Sequence, residues 1–552
     1  MSSIPVEFRS RTREVVESFL QTVVVLDDLA EMSRSREELT NETVSGRITS
    51  PEYPSSPDPV DNENRRNPQG APLKAKEVID GFAEIGSICA VLKANSDDGF
   101  QERTVRAARR ADIVILDWTI YDSTGTEALR IMQKILEEDS SSRRLRLIAI
   151  YTGEPDLRSI YDQVRDKVDE IYQDEELREI DGLRMSRGPL HVVVLAKSGV
   201  LAAERSNFVN QEVAEDELAD RLINEFADMT GGLIRNAAIA GIAGIRDNAH
   251  RILAEFDPNR DPAYLGHRLL LDHPPDAEDH LEEALASEVA SVLEEHRSGT
   301  RADIGAIRSW LIHRQSDGLN LSEPFPFEGD RDPVEGWIPL LEQGIAAEVA
   351  RPKGASKTSL PTQSTIPFAE DTESARQSDL HFAALLKLKT HYPSQAPRLS
   401  IGTILHTREN DQDSYFLCLQ PKCDSVRLGD WTGFPFLLLV SLTASKDVSR
   451  EMSFLAVQSE QDVWKHLGII PKPSKLMIRY FQPRDSPPGE VCAKNENALF
   501  FFEDIEKRQY RWIAQMKDEH ALGVANQVAA FLARPGPNEA EWLRRGVIKS
   551  SS

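Results

Sequence analysis

Along the first two hundred residues, short apolar runs alternate with stretches in which apolar positions recur every three to four residues. The runs are "TVVVLDD" (22–28), "SICAVLKA" (87–94), "ADIVILDW" (111–118), "RLRLIAIYTG" (144–153) and "LHVVVLAKSG" (190–199). Continuous Val, Ile and Leu over this length suits strands covered on both faces, as in a parallel sheet. Between them, "GFQERTVRAARR" (99–110), "GTEALRIMQKILEED" (125–139) and "DLRSIYDQVRDKVDEIY" (156–172) carry a helical period. The alternation predicts an α/β fold: a doubly wound, five-stranded parallel sheet with right-handed crossovers, within residues 1–210.

One segment breaks the rhythm. Residues 33–76 are rich in Ser, Pro, Asn and charge with almost nothing to bury, and read as a flexible insertion between the first helix and the second strand. The period is helical again over 211–315, where Ala237, Ala240, Gly241 and Gly244 share a helix face and permit close helix contact. A tight seam within the chain is the plainer reading of that face; a homodimer interface is the other. Residues 316–378 read as connector with local structure. From 379 to 552 the pattern is that of an α+β domain: strands at "SYFLCLQP", "FPFLLLVSL", "EMSFLAV" and "KLMIRYF", then a helix over "YRWIAQMKDEHALGVANQVAAFLA" (510–533). No repeat of 20 to 50 residues occurs in the chain.

Composition narrows the function classes. A chain of 552 residues is too long for one core and suggests about three folded units at ~150 residues each. With 65 basic against 90 acidic residues the formal charge is −25, which argues against wholesale nucleic-acid binding, since that binding rests on Lys and Arg displacing counterions. No apolar run approaches the ~20 residues of a membrane span, and no signal-peptide pattern opens the chain, so the expected location is the cytoplasm. The four cysteines make neither a disulfide framework nor a zinc site. Phosphate-binding loops ending in Gly-Lys-Ser/Thr, H-E-x-x-H, G-x-S-x-G and dinucleotide fingerprints are all missing. A helix-turn-helix with a basic recognition helix does not stand out either.

The chemistry gathers at the strand ends. In an open parallel sheet, ligands sit beyond the carboxyl ends of the strands. The first run ends in Asp27 and Asp28, the third in Asp117, the fourth in Thr152 and the fifth in Lys197. Clustered carboxylates repel one another unless a cation neutralises them, and a site of a few carboxylates plus waters suits Mg2+. With Gly125 eight residues after Asp117, the arrangement resembles the receiver domain of bacterial response regulators, a flavodoxin-like fold. The family's pattern is an acidic pair after the first strand, a phosphoacceptor Asp after the third, Ser or Thr after the fourth and Lys after the fifth.

By that resemblance Asp117 would accept a phosphoryl group. Asp27, Asp28, Asp117 and the main-chain carbonyl of Thr119 would hold Mg2+, and Thr152 and Lys197 would bind the phosphoryl oxygens. A histidine kinase or phosphotransfer protein as donor and a downstream effector protein follow from the same resemblance, which covers roughly residues 20–215. Departures from the pattern are the insertion at 33–76, the long gap from Thr152 to Lys197, and Ser198 where Pro is common.

The remainder of the chain is less explicit. "YFLCLQPKCDSVR" (415–427) and "ARPGPNEAEWLRR" (533–545) resemble segments of proteins that pair an atypical receiver with a C-terminal region in bacterial defence-like signalling. Asp424 and Arg427 beside Cys423 read as a strand exit closed by an ion pair before they read as a site. Trp542 and Arg544 read as a helical anchor. Competing readings of the whole are a pseudo-receiver scaffold that works without phosphorylation, an unrecognised effector enzyme within 379–552, and a haloacid-dehalogenase-type phosphatase. That last family places a second carboxylate two residues after the nucleophile, where Asp117 is followed by Thr119 and Asp27 by Leu29.

Overall fold

The computed structural model describes residues 5–31, 72–93, 99–121, 124–173, 177–198, 208–347, 349–392, 395–409, 412–442, 453–460, 463–485, 488–497 and 499–533. It divides into two units, Met1–Gly318 with Arg331–Ala350, and Leu319–Asp330 with Arg351–Ser552.

In the first unit the five apolar runs are β1 (Thr22–Asp27), β2 (Ile88–Lys93), β3 (Ile113–Leu116), β4 (Arg146–Thr152) and, last of the five, β7 (Leu190–Lys197). They pair in parallel in the order β2-β1-β3-β4-β7. Because successive side chains of a strand point to opposite faces, parity sorts the core into two layers. Val24, Leu26, Val114, Leu116, Ile148, Ile150, Val192 and Val194 face α3 (Phe100–Ala108), α4 (Thr126–Ser142) and α5 (Leu157–Ile171). Val23, Val25, Ile113, Ile115, Leu147, Tyr151, Val193 and Leu195 face α1 (Pro5–Phe19), α2 (Ala75–Glu84), α6 (Leu218–Thr230) and α7 (Leu233–Glu255). Each fully buried Val, Leu or Ile contributes roughly 1.5–3 kcal/mol relative to exposure. β2 departs from the expectation of two covered faces: it is an edge strand with Ile88 73% exposed.

Two departures from the sequence pattern are resolved physically. The stretch 33–76 falls mostly outside the described residues, but its flanks meet: Glu31 and Lys74 form a parallel bridge, with Glu31 N–H donating to the Leu73 carbonyl at 3.0 Å. An insertion rooted at adjacent points leaves β1 and α2 in place. The long gap before Lys197 contains an extra hairpin, β5 (Leu177–Asp181) and β6 (Arg184–Arg187), turning at Gly182-Leu183 and extending the sheet antiparallel beyond β7. A two-residue strand, β8 (Glu212–Val213), pairs with the end of β7.

Beyond α7 the first unit continues through α8 (Asp261–Leu270), α9 (Asp276–His296), α10 (Ile304–Ser316) and α11 (Pro333–Gln343). The small residues of α7 form a seam within the chain: a Cβ on Gly241 would lie 2.9 Å from Leu293, and one on Gly244 2.9 Å from His296. α9 therefore packs where only glycine leaves room.

The second unit holds α12 (Thr372–Lys387) and an antiparallel sheet. Its strands are β9 (Thr403–Glu409), β10 (Gln412–Cys418), β11 (Thr432–Ser441), β12 (Ser453–Glu460), β13 (Val463–Ile469) and β14 (Leu476–Phe481). A short ribbon of β15 (Arg484–Asp485) and β16 (Pro488–Glu490) follows, and then β17 (Lys494–Glu496), β18 (Leu499–Glu503) and β19 (Gln509–Gln515). The helix expected over 510–533 begins as strand: Gln509–Gln515 pairs with β9 and β18, and α13 (Asp518–Leu532) begins only afterwards. Tyr510 and Trp512 alternate with Arg511, a strand period that the helical tail masked. One face of the sheet is an aromatic layer including Phe416, Phe434, Phe436, Phe481 and Phe502, and α13 covers the other.

Asp424 and Arg427 lie on an exposed turn, where Arg427 donates to the Cys423 carbonyl at 3.3 Å and Cys423 Sγ donates to Asp424 Oδ1 at 3.5 Å. Trp542 and Arg544 lie outside the described residues. Among the described residues no helix is long and apolar enough to cross a membrane.

Candidate functional site

Strand register assembles the site. Leu26 is level with Leu116 and Leu116 with Ile150, so the next residues, Asp27, Asp117 and Tyr151, lie at one height at the sheet edge. The Asp117 amide donates to the Leu26 carbonyl at 2.9 Å, carrying the β1–β3 pairing to the sheet edge. Thr152 and Lys197 end β4 and β7 at the same edge.

The three carboxylates converge: one oxygen each of Asp27, Asp28 and Asp117 lie within 4.8 Å of one another. Lys197 reaches into the cluster, donating from Nζ to Asp27 Oδ2 at 2.7 Å and to Asp117 Oδ2 at 2.9 Å. Asp27, Asp117 and Lys197 are all 3% exposed or less, so water screens these charges little. Three carboxylates against one ammonium leave a deficit of two positive charges. Burial first, and then the charge of Asp117, push the Asp27 carboxyl up to about 6 against the pull of Lys197. Burial opposes the charge on Lys197, but Asp117 and Asp27 together hold its pKa above the ordinary lysine value.

Main-chain amides set the carboxylates. Leu29 N–H donates to Asp27 Oδ1 at 2.8 Å, and Tyr121 N–H donates to Asp28 Oδ2 at 3.2 Å from a left-handed residue of φ 62°. The amide and hydroxyl of Thr119 turn back to Asp117 Oδ1 at 3.4 and 3.3 Å. The other oxygen of Asp28, Oδ1, is buried and has no hydrogen-bond partner. A buried acceptor without a donor, beside two further carboxylates short of positive charge, fits a divalent cation. Asp27, Asp28 and Asp117 are thus a set that could bind a metal ion.

Gly125 has a local reason. Its φ is +74°, and a Cβ there would lie 2.1 Å from the indole of Trp118, itself 3% exposed. The glycine lets the chain close over the residue that follows Asp117 and start α4. Thr152 is fully buried; its Oγ1 accepts from the Glu154 amide at 3.1 Å. The Lys197 Nζ also stands 5.9 Å from the centroid of the Tyr151 ring.

Lys197 therefore touches Asp27 and Asp117, Asp28 joins them through its carboxylate within 4.8 Å, and Thr152 stands at the end of the neighbouring strand. What sequence reasoning missed are the orienting amides of Leu29 and Tyr121 and the ring of Tyr151. Amides carry no side-chain signature, and Tyr151 reads as one more core position of β4.

Residues 19–202 match the response receiver domain family. No curated protein and no solved structure was found to match the chain. The sheet order, the acidic cluster and this match agree, and a receiver domain implies a kinase or phosphotransfer partner in general. The chain is a receiver-domain signalling protein: residues 19–202 form a response receiver domain, followed by a helical region and a C-terminal antiparallel sheet domain.

Proposed function

We propose that the protein is a signalling switch in which Asp117 accepts a phosphoryl group from a histidine kinase or phosphotransfer protein. The observation that carries this reading is the buried Lys197 ammonium held between Asp27 and Asp117, beside the unpartnered Oδ1 of Asp28. A site built only for stability would match its charges; this one is short of positive charge.

In the proposed step a carboxylate oxygen of Asp117 attacks phosphorus while the N–P bond to the donor histidine breaks. The electron pair leaves on the imidazole nitrogen, which takes up a proton from solvent. Lys197 moves a hydrogen bond from Asp117 to a phosphoryl oxygen, and the Thr152 hydroxyl turns from the Glu154 amide to another. We read the metal as Mg2+, held by Asp27, Asp28, Asp117 and the Thr119 carbonyl; when bound it would neutralise charge on the transferring group. The chemistry of Asp117 is then self-modification, and turnover of an external substrate is no part of the reading.

Phosphorylation adds close to two negative charges at the end of β3 and takes Lys197 from its carboxylates, which biases the packing at this sheet edge by a few kcal/mol. The helical region 211–315 and the domain 379–552 relay that change to an effector protein. Incubation of the full chain with radiolabelled phosphoramidate and Mg2+ tests the reading. A hydroxylamine-labile label, lost with EDTA and in Asp117→Asn, supports it; a folded, metal-supplied protein that stays unlabelled refutes it and favours the scaffold.

A further inference from the structure

A cleft of about 750 Å³ opens at the opposite end of the sheet from the acidic cluster. His191, the second residue of β7, lines it, whereas Lys197 ends that strand; six residues of strand separate them by roughly 20 Å. The walls come from α1, the β5–β6 hairpin, α6 and α10.

Four guanidinium groups line this cleft from four elements: Arg9 of α1, Arg178 of β5, Arg184 of β6 and Arg314 of α10. They stand against three lining acids, Glu225, Asp228 and Asp317, in a chain whose formal charge is −25. Arg9 is held by Asp228 at 2.8 Å and Arg184 by Asp181 at 2.8 Å. A guanidinium has five N–H donors, so an acid that fixes its position leaves others to donate. Arg178 is exposed and has no partner among the described residues.

The floor carries an unmet polar atom. His191 is fully buried, and its Nδ1 lies 2.6 Å from Ser186 Oγ. Its Nε2 has no hydrogen-bond partner; Glu225 Oε2 lies 3.4 Å away, near enough for attraction but without hydrogen-bond geometry. An aromatic surface completes the lining: Phe8 stacks on His313 at 5.4 Å between centroids, and Trp310 lies three residues before His313 on α10.

We propose that this cleft binds a phosphorylated ligand of mononucleotide size, with its phosphate on the arginines and its planar base against Trp310 and the Phe8–His313 stack. The volume lies in the range of small-molecule sites, which run from about 300 to 1,000 Å³. Arginine is the side chain suited to phosphate, and an aromatic face beside it suits a base and no simple anion.

Calorimetric titration of the full chain with AMP, GMP and inorganic phosphate tests the proposal. At least one mononucleotide binds, roughly tenfold or more tighter than inorganic phosphate, a difference of about 1.4 kcal/mol. Arg178→Ala weakens it by roughly tenfold, the size expected for one charged hydrogen bond, and leaves the melting temperature unchanged because the guanidinium is exposed and unpaired. Trp310→Leu weakens the mononucleotide and leaves phosphate as before. No binding of either mononucleotide at millimolar concentration overturns the proposal. So does binding that survives Arg178→Ala at full strength, or phosphate binding as tightly as the nucleotides.

Discussion

Replacing Lys197 by methionine keeps the volume of the side chain and removes its charge. Lys197 is 1% exposed and holds Asp27 at 2.7 Å and Asp117 at 2.9 Å, so Lys197→Met leaves two buried carboxylates facing each other without a cation. Breaking a buried pair in this way costs about 3–5 kcal/mol, most of it the desolvation of the charge left behind. For domains of 150–250 residues 1 kcal/mol shifts the melting temperature by roughly 2–4 °C, and a larger unit sits at the low end, so the expected loss is about 6–10 °C at pH 8 in EDTA.

The pH dependence has a definite sign. Burial and the charge of Asp117 push the Asp27 carboxyl up to about 6 in the folded protein, from its ordinary value of 3.8. A carboxyl raised on folding favours the native state at low pH and loses that contribution as pH rises through the folded pKa. Without Lys197 the need for a proton on Asp27 grows. The gap between variant and wild type is therefore widest at pH 8 and narrows towards pH 5, and Mg2+ restores part of it at pH 8 by mass action. Differential scanning calorimetry of the full chain, with and without Mg2+, reads all three effects. Equal melting temperatures at pH 8 in EDTA, or a gap that widens on acidification, would refute the electrostatic reasoning.

Other substitutions probe separate parts of the argument. Gly125→Ala places a methyl group into the Trp118 indole at a left-handed position; we expect a loss of about 3 kcal/mol or more in urea titration and a shift in tryptophan emission. Asp28→Asn removes one charge and an unpartnered acceptor, so Mg2+ affinity measured by calorimetry falls more than roughly tenfold while stability without metal holds or rises. In the wild type the same affinity weakens as pH drops below about 6, where Asp27 takes up a proton that the metal must displace. At the other end of the sheet, Arg146 and Asp139 form a buried pair at 2.7 and 2.9 Å; Asp139→Ala is expected to cost about 3–5 kcal/mol, and adding Arg146→Met recovers part of it.

The receiver sheet was legible because its strands announce themselves twice, by an unbroken apolar run and by the polar residue that ends it. In "VVVLDD" and "VILDW" the run sets the buried strand and the carboxylate marks the edge, and parallel register then forces Asp27 and Asp117 to one height. The β5–β6 hairpin escapes because "LREID" and "RMSR" lack such runs; only Gly182 in its turn signals it. β19 reads as helix because "YRWIAQ" runs without a break into the true helix at Asp518, and no Gly or Pro marks the change. The arginine cleft is illegible in principle. Its four guanidinium groups lie on four elements between residues 9 and 314, and no spacing along the chain encodes their meeting.

The most direct test of the central claim is chemical identification of the modified residue. Treatment of the full chain with a small phosphoryl donor and Mg2+, reduction with borohydride and peptide sequencing by mass spectrometry would find homoserine at position 117 if an acyl phosphate forms there. Homoserine at 117, absent when Mg2+ is withheld, is the result expected; an unreduced Asp117, or homoserine at 27 or 28 in its place, would contradict the assignment of the phosphoacceptor.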